Sequence, residues 1–348
     1  PLGRFIPVAR VADMLLDPGG KIHFDGQELV YPDIDIVWWA GGNPFHHHQD
    51  LNRLVEAFRK PRTVIVNEIW WTATARHADI VLPATTAFER NDISGSPTDR
   101  FTAAMHKQIE PLGEARSEFD IFSGLAERFG TFEAYGENRD EMDWLAHIYE
   151  DYRSRASEQL GIVLPAFPAF WEKGYAELPV PEQAYTLFAD FRGDPKKNPL
   201  KTPSGKIEIW SSFIATSPHT DVHPHPRWVE PREWLGKAEC AQLHMVSPQP
   251  ASRLHGQLDG VGVSKRSKIK GREPVRLNPE DAEERDIRDG DTVRIWNARG
   301  ECLATAALTE HVMPGVIALA TGAWYNPEGR SGPGSRDLHG NPNVLTSN

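Results

Sequence analysis

Side chains able to grip a large ligand recur in this sequence at the ends of short apolar runs. Ile34 to Ala40 is rich in β-branched and aromatic residues and breaks at Gly41-Gly42 into Asn43-Pro44-Phe45 and the run His46-His47-His48. Thr63 to Val66 ends in the polar pair Asn67-Glu68, and Leu82 is followed by a polar loop carrying Glu89-Arg90-Asn91-Asp92. Further on come Ser247-Pro248-Gln249-Pro250, then Arg253, His255, Gly256 and Gln257, and finally Gly340-Asn341-Pro342-Asn343. Arginine offers a planar fork for phosphate, and an Asn or Gln amide can both donate to and accept from the edge of a base or pterin. Arg253, His255 and Gln257 alternate, so an extended segment would turn all three the same way. With Asn43, His47, Asn67 and Arg90, the inventory fits a large, anionic, amide-edged ligand, a nucleotide-like cofactor held between two domains.

Each feature alone has a plainer reading. The Gly41-Gly42 stretch could be an ordinary βα turn, Arg90 a solvated ion pair, and the two later loops surface segments making their own turns. Asp120, in the first turn of a helix, could simply complement the helix dipole. Thr202-Pro203-Ser204-Gly205-Lys206 is not a phosphate loop: Leu200 stands where the first glycine belongs, and Ile207 follows the lysine. His219 to Pro226 is His-rich but broken by prolines, with no fourth-ligand pattern for a metal.

The elements that must position these residues follow from periodicity. Ile6 to Leu16 reads as a short helix, and Lys21 to Tyr31 as a hairpin turning at Asp25-Gly26. Ile34–Ala40 reads as a strand buried on both faces. Leu51, Leu54, Val55 and Phe58 fall at i, i+3, i+4, i+7, a helix that Pro61 stops. Thr63–Glu68 and Asp79–Pro83 are further strands flanking a helical step over Thr72–Ala78, and this alternation predicts a parallel sheet. Ser117 N-caps a helix whose Phe119, Phe122, Leu125, Ala126 and Phe129 face the core, and Glu141 to Leu160 is a second long helix. Pro165 to Lys201 is irregular, and Ile207–Trp210 reads as a strand. From Cys240 onward short strands alternate with turn signals, which predicts a compact barrel. The fold class is therefore α/β, a parallel-sheet domain over residues 1–230 followed by an all-β domain over 231–348.

The bulk numbers exclude several classes. At 348 residues, with 39% hydrophobic residues and 11 Trp, two domains with real cores are affordable. The charge of 38 − 49 = −11 carries no basic stripe, so nucleic acid is not an expected partner. Cys240 and Cys302, the 2 cysteines, exclude a disulfide scaffold and any Cys-based metal site within this chain. No apolar run approaches membrane-span length. Pro1-Leu2-Gly3 and Asn343 to Asn348 give the expectation of a piece of something longer.

These motifs resemble the dimethyl sulfoxide reductase family of molybdopterin oxidoreductases. The likeness rests on Trp39 to Leu54, Ala75 to Thr86, Glu89 to Asp92, Ser247 to Pro250 with Arg253 to Gln257, and His339 to Thr346. The most similar branch holds biotin sulfoxide, trimethylamine N-oxide and dimethyl sulfoxide reductases. The resemblance implies the third, α/β domain of such an enzyme to about residue 230 and a double-psi β-barrel fourth domain after it. It implies a bis(molybdopterin guanine dinucleotide) molybdenum cofactor and oxygen-atom transfer from a sulfoxide or N-oxide. Carried over by position, Asn43, His47, Asn67, Glu68, Arg90 and Asp120 would hold one guanosine and its phosphates. Ser247, Pro248, Gln249, Pro250, Arg253, His255, Gly256, Gln257 and Asn341 or Asn343 would contact the cofactor from the barrel. The family's molybdenum-ligating serine and most of its substrate funnel lie in an amino-terminal half not present here, so no catalytic or metal-ligating residue is assigned. That half and an unidentified electron donor are the implied partners. The compartment is left open, with the branch tilting it to the cytoplasm and the periplasm an alternative. The alternative function is a non-catalytic nucleotide- or molybdopterin-binding module or subunit.

Overall fold

The computed structural model describes residues 5–96, 98–180, 186–218, 221–239, 242–329, 332 and 334–347. Cys240 and His219 lie outside the described residues. By compactness the chain forms two units that interleave in sequence. Unit 1 comprises residues 1–66, 70–81 and 210–348, and unit 2 comprises residues 67–69 and 82–209.

After a 3-10 turn, α1 (Val11–Leu16) leads into the hairpin β1 (Lys21–Phe24) and β2 (Gln27–Val30). The two are joined by Asp25 and Gly26, both at positive φ. That is the primed turn the Asp-Gly pair predicts, because its twist matches the strands. Strand β3 (Ile36–Ala40) exits at Gly41 and Gly42, with φ of 80° and 77°, into a short helix α2 (Pro44–His47). Helix α3 (Leu51–Phe58) follows, with Asp50 accepting from the Arg53 N–H at its N-cap. Strand β4 (Thr63–Glu68), helix α4 (Ala73–Arg76) and β5 (Ile80–Pro83) complete a parallel three-stranded sheet in the order β3-β4-β5. Central β4 buries Val64 and Val66. Strand β3 is not buried on both faces: Ile36 is 56% exposed, as befits the edge of this sheet.

In unit 2, β6 (Asp92–Ser94), β7 (Phe101–Met105) and β8 (Tyr175–Glu177) form an antiparallel sheet in that order. Between β7 and β8 lie α5 (Glu118–Arg128), α6 (Phe132–Gly136), α7 (Glu141–Leu160) and α8 (Phe167–Lys173). Ser117 caps α5 as its sequence suggests, accepting from the Asp120 N–H at 3.1 Å. Phe129 does not face the core; it falls on the C-cap of α5 and is exposed. The core of this unit is small, built on Tyr149 stacked against Phe170 with Leu164 and Ala176. Then come α9 (Ala189–Gly193) and, in unit 1, α10 (Ser212–Ala215). The expected strand over Ile207–Trp210 does not form. These residues find no pairing strand among the described ones, and Ile207, Ile209 and Trp210 stay exposed.

Next are β9 (His244–Val246), α11 (Gly262–Ser267), β10 (Pro274–Leu277) and α12 (Pro279–Glu283), the last capped by Asn278. Strands β11 (Thr292–Trp296), β12 (Glu301–Leu308), β13 (Val316–Leu319) and β14 (Arg336–Asp337) complete the part. These strands curl into one mixed sheet, order β11-β12-β10-β13-β9, with β14 pairing β12. Parallel pairing of β10 with β12 and of β13 with β9 among antiparallel neighbours suits the expected barrel class.

Unit 1 has a single core. Leu51, Leu54, Val55 and Phe58 of α3 join Val64 and Val66 of β4 in one buried cluster with Val275, Leu277, Ala304, Ala306, Leu319, Tyr325 and Val344. Each large side chain so buried contributes about 1.5–3 kcal/mol. Polar stitches fix the register. Asp50 N–H donates to Thr346 O at 3.1 Å, and the Asn52 amide donates to Arg299 O at 3.0 Å. Two buried histidines belong to the same seam: burial lowers His46 and His48 from 6.5 to about 4, so both are neutral at ordinary pH.

Two outcomes test this packing. A Cβ at Gly300 would lie 2.7 Å from both Asn52 Nδ2 and the Val344 carbonyl oxygen. Gly300→Ala should therefore destabilise the chain by about 1–3 kcal/mol in urea unfolding, and an unchanged midpoint would mean the seam is looser than described. For the histidines, the folded state prefers the neutral form. Their contribution is full above pH 6.5 and falls as the pH drops toward 4, by on the order of 3 kcal/mol for each imidazole. His48→Gln should make the acid loss of stability shallower; equal slopes in both proteins would contradict the assignment.

Candidate functional site

Within unit 1 the site is built on α2. The Asn43 side chain accepts from the Thr74 hydroxyl, and Thr74 Oγ1 also accepts from the Phe45 N–H at 3.4 Å. Pro44, at the first helical position, suits a helix start because it has no N–H to leave unpaired. Phe45 is fully buried, stacked on His77 at 4.1 Å and on Tyr325 at 6.1 Å. His46 stacks on Trp324 at 5.2 Å. His47 points outward between two buried neighbours, so the three histidines have different roles despite being adjacent. Burial and, next, the positive charge available to His255 both lower the pKa of His47.

The barrel loops close around α2. Gly256 O accepts from Trp324 Nε1 at 2.7 Å, and a Cβ at Gly256 would lie 2.5 Å from His46 Nδ1. Only glycine lets the backbone come this near the imidazole. Asn343 Nδ2 donates to His46 O at 3.2 Å, and Asn341 Oδ1 accepts from the Asn343 N–H. Asn341 Nδ2 is buried with no hydrogen-bond partner. His47, His255, Gly256, Asn341 and Asn343 are thus brought together. Ser247, Pro248, Gln249 and Gln257 are exposed, and Pro250 is half-buried. The Pro248 carbonyl accepts from the Thr321 N–H at 3.1 Å, which ties this loop to the strand end beside the cradle.

Arg253, His255 and Gln257 do not lie on one extended strand. The segment is a series of turns, with His255 and Leu258 at φ of 48° and 59°. Arg253 is buried instead, donating to Glu273 at 3.0 Å and to Thr321 O at 2.8 Å, with Asp259 3.5 Å away. Lys268 completes the group, 2.8 Å from Asp259 and 3.4 Å from Glu273. Arg253 Nη1 is buried without a hydrogen-bond partner.

Unit 2 gathers the other expected residues through backbone links. Ala84 N–H donates to Glu68 O, the Thr85 N–H donates to Arg116 O and the Arg116 N–H donates to Pro83 O, forming a parallel bridge between Ala84 and Arg116. Arg116 leads into the Ser117 cap, so Asp120 is exposed one turn into α5. Arg90 reaches back to Thr85 O at 2.9 Å and is paired with Asp92 at 3.0 Å. Glu89 accepts from the N–H groups of Thr86 and Leu112, and those bonds hold its carboxyl below the usual range. Asn67 is buried and Glu68 half-buried.

Sequence reasoning missed His46, Trp324 and Asp337. Burial pushes the Asp337 carboxyl up to about 6, while the N–H groups of Asn326, Asn341, Gly340 and His339 pull it down. Among the described residues no group of three or more His, Cys, Asp or Glu could hold a metal ion, His223 and His225 included. No described helix is long and apolar enough to cross a membrane.

Comparison with known proteins identifies the family. Residues 18–128 match the family model described as Molybdopterin oxidoreductase, and residues 243–348 match that described as Molydopterin dinucleotide binding domain. Biotin sulfoxide reductase of Cereibacter sphaeroides is 51% identical over 99% of this chain and 46% of its own length. Dimethyl sulfoxide/trimethylamine N-oxide reductase of the same organism is 48% identical over 98% of this chain and 42% of its length. Trimethylamine-N-oxide reductase 1 of Escherichia coli K12 is 44% identical over 98% and 41%. The chain thus spans less than half the length of these relatives. The solved structure of acetylene hydratase from Pelobacter acetylenicus shares the fold, with a TM-score of 0.71 at 19% identity over 99% of this chain and 43% of that one. From both domain matches and the likeness running almost end to end, the chain belongs to the molybdopterin oxidoreductases of the dimethyl sulfoxide reductase family.

Proposed function

We propose that this chain is the cofactor-holding half of a molybdenum enzyme that reduces S-oxides or N-oxides. The observation that carries the reading is the likeness of 51% over 99% of the chain to a biotin sulfoxide reductase, with a preformed polar cradle on the matching motifs. The partners on this reading are the amino-terminal half of the same enzyme, a small sulfoxide or N-oxide, and an electron donor. Residues 1–230 and 231–348 would be its third and fourth domains.

The residues fit bis(molybdopterin guanine dinucleotide) by their chemistry. Asn341 Nδ2 and Arg253 Nη1 are buried donors without partners, and such donors are costly unless a ligand meets them. Gly256 lets its loop pack directly against His46, and exposed Gln249, Gln257, His47 and His255 add donors and acceptors for a pterin edge and phosphates. Asn43 belongs to the same cradle. In unit 2, Asp120 is a carboxylate suited to the N–H groups of a guanine edge, and Arg90 to a phosphate, with Asn67 and Glu68 beside them. When bound, the cofactor would supply two-electron oxygen-atom-transfer chemistry, while the protein binds and orients it. His46, buried and neutral, presents no charge against the ligand.

The denatured mass of the polypeptide from its native source tests the reading. A mass far above 39.0 kDa supports the enzyme half; a mass near 39.0 kDa would move the non-catalytic binding module to first place. Gly256→Ala supplies a second check on the protein as it occurs naturally. Forcing a Cβ against His46 should lower molybdenum and released guanine in parallel, several-fold or more, with the chain still folded. Full content of both would sink the binding role of this loop.

A further inference from the structure

One buried carboxylate ties together both sides of the cradle. Asp337 is fully buried, on β14, where it pairs with Cys302 of β12. Its Oδ1 accepts from the Asn326 N–H at 2.8 Å. Its Oδ2 accepts from the N–H groups of His339 at 3.1 Å, Gly340 at 2.8 Å and Asn341 at 2.8 Å. Three near-successive amides converging on one oxygen form an anion-binding nest, here filled from inside the protein. Gly340 is held tightly, at φ of 85° with Glu273 Cβ 2.9 Å from where its own Cβ would be.

The two loops that Asp337 joins are those that carry the site. On one side are Trp324, which stacks on His46 and donates to Gly256 O, and Tyr325, which stacks on Phe45. On the other are Asn341, with its unpartnered Nδ2, and Asn343, which donates to His46 O. His339 bridges them a second time, with Nδ1 3.2 Å from Trp324 O and Nε2 3.2 Å from Asn326 Nδ2.

We propose that Asp337 is the positioning residue of the cofactor cradle: it touches no ligand, but fixes Asn341 and Trp324 in the arrangement that binds it. The inference rests on the proposed cofactor role. Asp337→Asn is its sharpest probe, because it keeps the shape and replaces one acceptor oxygen with an NH2 group. That group can face the Asn326 amide or the 339–341 amides, but accepts from neither, so one loop must let go.

The experiment uses the complete polypeptide from its native host and reads guanine released by acid, and molybdenum, per folded chain in the native gel-filtration peak. Absence of guanine from the unsubstituted protein would overturn the cofactor reading itself, separately from Asp337. Given a loaded parent, Asp337→Asn should lower guanine per folded chain on the order of tenfold, the scale of lost outer-shell support. Asn341→Ala should also lower it, and the double variant should lose no more than the worse single one, because both act through one loop. Full guanine content in Asp337→Asn, or multiplied losses in the double variant, would overturn the proposal. If Asp337→Asn fails to fold, hydrogen exchange on unsubstituted protein made without molybdate decides instead. The amides of Asn326, Gly340 and Asn341 should be protected before any cofactor binds, and rapid exchange there would mean that Asp337 does not preorganise the loops.

Discussion

The structure of unit 1 depends on a close approach of backbone to backbone between the α2–α3 segment and the end of the chain. Residues 43–52 lie against 256, 299–300 and 341–346, joined by bonds from Asp50 to Thr346, from Asn52 to Arg299 and from Asn343 to His46. Such bonds form only where nothing larger than hydrogen stands between the chains, which is why Gly256 and Gly300 occupy those positions. Arg299 reinforces the seam with a two-pronged pair to Glu233 and a bond to Leu345 O. Because the seam is shared, the hydrophobic face of α3 and the inner face of the barrel strands form one core.

That constraint also explains the histidine run. Two imidazoles buried in the seam cannot carry charge without losing hydration, so burial keeps them neutral. The third remains at the surface near His255. A neutral ring stacked on Trp324 adds shape without a fixed charge. Beneath lies one buried charged group, Arg253, Lys268, Asp259 and Glu273, where two cations meet two anions.

The sequence was most readable where local chemistry decides. A β-branched run located β4, Asp25-Gly26 located its turn, and Ser117 located its helix, because those signals act within a few residues. Helix α2 was not legible: four residues beginning with proline and ending in histidines carry no period, and tertiary packing of Phe45 and His46 holds them helical. Ile207–Trp210 failed for the opposite reason, since its apolar residues suit a strand but no partner reaches them among the described residues. At the site, residue types identified the loops but not their conformation. Alternation suggested that Arg253, His255 and Gln257 share a face, yet the left-handed backbone at His255 turns the chain. Asp337 gave no signal at all, because a carboxylate satisfied by distant backbone amides looks like any other aspartate in sequence.

Arg253 shows how a residue can serve binding and folding together. Fully buried, it shares its guanidinium between Glu273, Thr321 O and the approach of Asp259. Burying four charges is costly, and hydrophobic replacement of such a group is often neutral or stabilising, so stability alone does not account for it. What the group does fix is geometry: Asp259 accepts from the Trp324 N–H, and Arg253 O accepts from the Gln249 amide. The charges therefore tie the 247–259 loop to the Trp324 loop from below, while Asp337 ties the Trp324 loop to Asn341 from the side. Both arrangements spend buried charge on the same loops, and a site that must meet a large polar ligand with fixed donors is where such expenditure has a physical return.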